Sequence, residues 1–235
     1  MADAVRHLIA VVCLALAGAG SLSGAPASGS AGPVQQVRFT VYSARPISDV
    51  GLAVRAGAAP QKVTFYPTAR SPRYEYRGTM PLRFVDPTSG EVVAEAVIPS
   101  GIRDALLLFS PATADAAGKS GTLRYQIAVL DDSAARQGSG ALAIINLSGL
   151  ELSGTIGKDA VTLRAGLNPA VAIGRSAKIM FRTAVKGRSY QAYANTVQLA
   201  PRERALLILF PPYTKGSVEV QARLLIDTPP GAATK

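Results

Sequence analysis

Cys13 and His7 are the only cysteine and the only histidine of the chain, and both fall in its leading segment. That segment reads as an export signal. A short head carries Arg6 and His7, an apolar run extends from Leu8 to Ala17, and the small residues Gly18, Gly20, Ser21 and Gly24 follow. The run is shorter than the roughly 20 apolar residues of a membrane span, and no basic stop ends it. Cleavage is therefore expected, with small residues permitting it after Ala19, Ser23 or Ala27. Lipid attachment at Cys13 is the rival fate, but Val12 stands where a small residue would be wanted. The mature chain would then lack both residue types. Disulfides, metal sites built on nitrogen or sulfur ligands, and histidine-based acyl transfer drop out together.

Among the remaining groups, Gly118-Lys119-Ser120 has the ending of a phosphate-binding loop, but that loop needs a glycine five residues upstream, where Thr113 stands. No serine sits in a G-x-S-x-G elbow or at S-x-x-K spacing, so the sequence shows no activated serine. Two carboxylates brought together from distant strands could still cleave a glycoside. Asp131-Asp132 is the one adjacent carboxylate pair. Its oxygens suit calcium, but no D-x-D-x-D-G ladder surrounds it, and Asp and Ser equally close strand ends by bonding the backbone. No metal and no cofactor is expected. Asn146-Leu147-Ser148 fits a glycosylation acceptor, but with Gly149 following it reads as a turn.

Charge is the broader signal. The net charge is +10, and it is unchanged by loss of the leader because Asp3 and Arg6 leave together. An exported basic protein meets anionic lipid head groups and wall polymers, so an anionic envelope polymer or another envelope protein is the expected partner and nucleic acid is not. The densest basic group is Arg70, Arg73 and Arg77 around Tyr74 and Tyr76, interrupted by Pro72 and Glu75. These five residues are the candidate binding group, cations for charge and tyrosines for stacking. A solvated loop leading into an edge strand would have the same composition.

The elements that must position these groups are strands. After residue 36, apolar residues recur at alternate positions between turn signals, and no helical period is present. Val37, Phe39 and Val41 alternate with Arg38, Thr40 and Tyr42. Val218, Val220, Ala222, Leu224 and Ile226 do the same near the other end, with one slip at Leu225. Asp86-Pro87-Thr88-Ser89-Gly90 and Lys186-Gly187-Arg188 supply turns. After the leader the longest apolar runs, Ala105–Phe109 and Ala205–Phe210, have strand length, so no transmembrane span is expected once the signal is removed. Both runs are apolar on both faces and should sit centrally. Arg103-Asp104 before the first and Arg202-Glu203-Arg204 before the second read as charges that keep a sticky strand from mispairing.

An internal repeat accompanies the strands. Ala96–Pro111 reads AVIPSGIRDALLLFSP and Thr196–Pro211 reads TVQLAPRERALLILFP, matching Val97 with Val197 and Ala105–Leu107 with Ala205–Leu207. Downstream, Leu123, Tyr125, Ile127 and Val129 line up with Val220, Ala222, Leu224 and Ile226. Each unit has close to the ~100 residues of an immunoglobulin-like sandwich.

Y-x-I-x-V-L-D-D-S at Tyr125–Ser133, A-I-I-N-L-S-G at Ala143–Gly149 and V-T-L-R-A-G at Val161–Gly166 resemble phrases of uncharacterised exported bacterial β-sandwich proteins. The resemblance implies export and a shared fold, and it brings no function with it. The expectation is an all-β chain of two tandem immunoglobulin-like β-sandwich domains behind a cleavable signal helix. Residues 1–27 are the signal, 28–36 a flexible lead, 37–132 the first sandwich, 133–140 a linker, 141–228 the second sandwich and 229–235 a disordered tail. A non-enzymatic periplasmic or secreted envelope protein is the functional expectation. Its alternatives are a carboxylate-dependent carbohydrate hydrolase and a periplasmic assembly factor working by strand addition. The sequence sets no oligomeric state.

Overall fold

Alternating side chains are what a strand buried on one face requires, and the computed structural model resolves sixteen strands among the described residues. It describes residues 33–54, 59–112 and 123–229. The expected leader, the Gly118-Lys119-Ser120 motif and residues 230–235 lie outside the described residues. Among the described residues every regular element is a strand. No helix among the described residues is long and apolar enough to cross a membrane.

In the first half, β1 (Gln35–Ser43), β4 (Tyr74–Gly78), β7 (Asp104–Pro111) and β8 (Tyr125–Asp131) form a sheet in the order β4-β1-β7-β8. Against it packs a sheet of β2 (Val50–Leu52), β3 (Gln61–Val63), β5 (Leu82–Val85) and β6 (Val92–Ala96), in the order β3-β2-β5-β6. The second half has β9 (Ala141–Asn146), β12 (Gly166–Ala172), β15 (Arg204–Phe210) and β16 (Gln221–Asp227) in the order β12-β9-β15-β16. Its partner sheet holds β10 (Leu152–Ile156), β11 (Asp159–Leu163), β13 (Ser176–Val185) and β14 (Arg188–Gln198), in the order β11-β10-β13-β14. The two halves have the same strand order. Each also contains one parallel pair, β1 with β7 and β9 with β15.

Alternation explains three apolar cores. Val37, Phe39 and Val41 of β1 and Ala105, Leu107 and Phe109 of β7 face Leu52, Phe84 and Val93 inside the first half. Ala205, Leu207 and Leu209 of β15 face Ile179, Phe181 and Val197 inside the second. The opposite face of the same central strands is buried as well. Tyr42, Leu106 and Leu108 meet Ala143, Ile145, Leu206, Ile208 and Leu225 in a third cluster between the halves. The layers therefore run outer sheet, inner sheet, inner sheet, outer sheet. This is why ALLLF and ALLILF are apolar on both faces, and why Leu225 breaks the alternation of β16: it belongs to the third core while Val220, Ala222 and Leu224 serve the second.

The register corrects the repeat in detail. Val97 is 67% exposed while Val197 is fully buried, so those two positions are not equivalent. Ile127 stands opposite Phe109 as Ala222 stands opposite Leu209, so Ile127 is equivalent to Ala222 rather than to Leu224. The sequence alignment had slipped by one pleat, a displacement that keeps every apolar residue on its face and so leaves no trace in the pattern.

The turns follow their residues. Lys186 and Gly187 both adopt positive φ between β13 and β14, the tight hairpin geometry that Gly accepts at no steric cost. Asp86 Oδ1 accepts from the amides of Thr88 (2.9 Å) and Ser89 (3.2 Å), and Arg124 donates to its other oxygen at 2.6 Å. These bonds, the one from Arg124 above all, hold the Asp86 carboxyl below the usual range. Asn146 is a turn residue: its Oδ1 accepts from the Ser148 amide and hydroxyl, and its Nδ2 donates to the Leu150 carbonyl.

Candidate functional site

The five residues of the basic-aromatic group separate by the pleat of β4. Tyr74 and Tyr76 point into the first core, where Tyr74 lies 5.6 Å from Phe39 between ring centroids. The Tyr74 hydroxyl accepts from the Thr64 amide at 2.8 Å, and the Tyr76 hydroxyl donates to the Thr79 carbonyl at 2.8 Å. Burial pushes the Tyr76 phenol up, against a smaller opposite effect of Arg83. Arg73 and Arg77 are exposed. Arg70 is only 9% exposed and turns toward the junction between the halves.

There it meets a second arginine. Arg204, at the first position of β15, is completely buried. Its Nε donates to Asp227 Oδ1 at 3.0 Å and its Nη2 to Asp227 Oδ2 at 3.1 Å, the bidentate fork that a guanidinium and a carboxylate form together. Nη2 also donates to Asp132 Oδ2 (2.8 Å), and Nη1 reaches the carbonyls of Asp132 (2.9 Å) and Gln137 (3.0 Å). Arg70 Nη1 donates to both oxygens of Asp132 at 2.7 Å and lies 3.5 Å from Asp227. Two guanidiniums and two carboxylates thus form a charge-balanced group joining residues of both halves. Burial alone would depress the Arg204 pKa; the bonds from Asp227 and Asp132 and their charges outweigh it and raise it further.

The reading of Arg204 as a surface charge guarding its strand is therefore corrected. Of that triplet, Glu203 accepts from the Ala200 amide at 2.7 Å, and Arg202 occupies the turn with a positive φ. The sequence contained one usable hint. Asp132 and Asp227 each follow an apolar strand whose neighbour opens on a charged residue, but sequence does not say that those strand ends converge. Between β8 and β9 the Ser133 carbonyl accepts the amides of Arg136 and Gln137. Gln137 is buried, and its side chain donates to the Ala205 carbonyl.

Beside this group, a cavity of about 610 Å³ opens between the inner sheets. Leu106, Leu130, Leu167 and Leu206 give it apolar walls, while Asp131, Asp132 and Arg136 border it. Asp131 Oδ1 accepts from the Ser133 amide at 3.0 Å and Oδ2 lies 3.4 Å from Arg136 Nε. Partial burial pushes the Asp131 carboxyl up, but the bonds from Ser133 and Arg136 together hold it below the ordinary range. Chemically, both carboxylates at this opening are committed to holding the fold. No group of three or more metal-ligating side chains occurs among the described residues. No protein-family model matches the chain, and no curated protein matches it.

Proposed function

We propose that this protein is a non-enzymatic structural or binding protein of the bacterial cell envelope, periplasmic or secreted, that contacts an anionic polymer or another envelope protein. Its two halves, 37–132 and 141–228, are tandem immunoglobulin-like sandwiches, a reading supported by eight strands in two facing sheets in each half. The observation that carries the functional reading is the use of the carboxylates at the cavity between the inner sheets. Asp132 binds Arg70 and Arg204, and Asp131 binds Ser133 and Arg136, so these acids serve architecture. General acid and base catalysis needs a group held near its reactant with a proton to exchange. Recognition then falls to surface charge, with Arg73 and Arg77 outside the core.

The test is co-sedimentation of the purified protein with isolated bacterial cell envelope. The bound fraction should fall steeply as salt rises, because exposed charges more than about 8 Å apart are screened at physiological ionic strength. Replacing Arg73 and Arg77 by Gln should lower it at low salt. A bound fraction that is equal at low and high salt would overturn the reading.

A further inference from the structure

From Ala160 to Arg202 the chain carries seven Lys and Arg and not one Asp or Glu. That run supplies the β13–β14 hairpin, the longest pair of strands among the described residues. Along β13, Ala177, Ile179, Phe181 and Thr183 turn inward, so Lys178, Met180 and Arg182 stand on the outer face with Ser176. Register places Gln198, Thr196, Ala194 and Gln191 beside them on β14. On the other side, Ser153 and Thr155 of β10 lie opposite Arg182 and Met180, and Thr162 of β11 lies opposite Ser153. On the strands this face presents hydroxyls, amides and two cations; the carboxylates of the sheet stand at its ends, Glu151 just before β10 and Asp159 at the start of β11.

The other outer sheet serves as an internal comparison. There Arg83 of β5 faces outward too, but Glu95 of β6 stands opposite it and pairs with its Nε at 3.0 Å. The first half thus neutralises Arg83 across the strand pair, while Lys62 of β3 shares the same outer face. In the second half Arg182 meets the Ser189 hydroxyl at 2.9 Å instead, which holds the guanidinium in place without cancelling its charge. Lys178 and Arg182 are four residues apart on one face, about 14 Å along the strand at roughly 3.4 Å per residue. With Arg182 held by Ser189 and Lys178 set four residues away on the same face, the two charges suit successive anionic units of an extended polymer.

We infer that the outer face of the β11-β10-β13-β14 sheet is a binding surface for an anionic polysaccharide, with Lys178 and Arg182 taking its charges and Ser153, Thr155, Gln191 and Thr196 its hydroxyls. The face carries no aromatic side chain on which a nucleobase could stack, and Met180 is its only large apolar group, too little to anchor in a bilayer. This site is separate from Arg73 and Arg77, and it deepens the envelope-polymer reading by giving the polymer class and the place where it lies.

The test uses the full processed chain and polygalacturonate as the probe, in affinity electrophoresis and in solution binding at low and high salt. Dextran and duplex DNA serve as comparisons. Polygalacturonate should retard the protein, dextran should not, and K178Q/R182Q should weaken the interaction by roughly tenfold, the loss expected for two cooperating surface charges. R83Q, which breaks an exposed pair outside both basic groups, should leave polygalacturonate binding unchanged. No retardation at low salt, an unaltered K178Q/R182Q variant with native melting, or duplex DNA bound as tightly as polygalacturonate would each overturn the assignment. Envelope binding that survives such a result would leave the broader reading standing, and its loss along with salt dependence would remove that reading independently.

Discussion

Arg204 has no exposure to solvent and makes five hydrogen bonds to side chains and carbonyls from both halves. A buried charge of this kind is costly to leave alone. Removing one member of a buried pair typically costs about 3–5 kcal/mol because its partners remain charged and desolvated. Arg204→Ala should therefore destabilise the protein by about that amount in urea unfolding. Arg83→Ala, which removes an exposed pair, should change stability by less than about 1 kcal/mol. Equal small losses in both variants would show that the junction tolerates the charge through water. From sequence alone, Arg204 and Arg83 read alike, as cations beside strands. What separates them is which strand ends converge, and that depends on contacts across more than sixty residues, such as the one between Arg70 and Asp132. The tyrosines were closer to legible: Tyr74 and Tyr76 share a face two residues apart, and Phe39 opposite Tyr74 in the register decides that this face is the inner one.

At the scale of elements, alternation and apolar runs identified several strands, β1, β7, β8, β15 and β16 among them. Lys186-Gly187 gave the hairpin, and the apolar runs of β7 and β15 gave the central strands, since only a strand covered on both sides can be apolar on both. Substituting Asp for Leu107 or Leu207 would put a carboxylate in a fully buried site among apolar neighbours. Either change should abolish soluble expression, and normal yield with unchanged melting would show that these strands are not core. Register was less legible. A two-residue slip keeps the same side chains on the same face, so Ile127 could be matched with Leu224 or Ala222 from pattern alone. Only pairing with Phe109 and Leu209 decides between them.

For the whole molecule, the third core matters most. Tyr42, Leu106 and Leu108 are buried by residues of the second half, and Arg70 and Asp132 find partners there. The described residues accordingly cluster as one compact unit. The two sandwiches should unfold in a single transition when followed by tyrosine fluorescence and by circular dichroism. Produced alone, the segment 37–132 should aggregate or bind a hydrophobic dye, because it would expose the Leu106–Leu108 face. Two separated transitions, or a soluble and dye-silent fragment, would contradict this coupling. That the halves lie back to back was implicit in the doubly apolar runs. The identity of the covering layer was not, because a third sheet or another chain would satisfy the same pattern.

The parallel pairing of β1 with β7 also governs when the molecule can form. β1 is the earliest described strand, yet it lies inside its sheet, between β4 and β7. Its register partner for Phe39 is Ala105, and no short loop can join parallel neighbours. As the chain emerges from its amino end, Val37, Phe39 and Val41 must wait for the segment around Ala105–Phe109 before they have both neighbours. The outer face of β7 must wait longer still, for Leu206 and Leu225. Ring closures this distant make for slow folding, measured in milliseconds to seconds rather than microseconds. During that interval the stickiest strands of the molecule are open, so anything that holds them apart from other chains during synthesis acts on folding yield rather than on the stability of the finished protein.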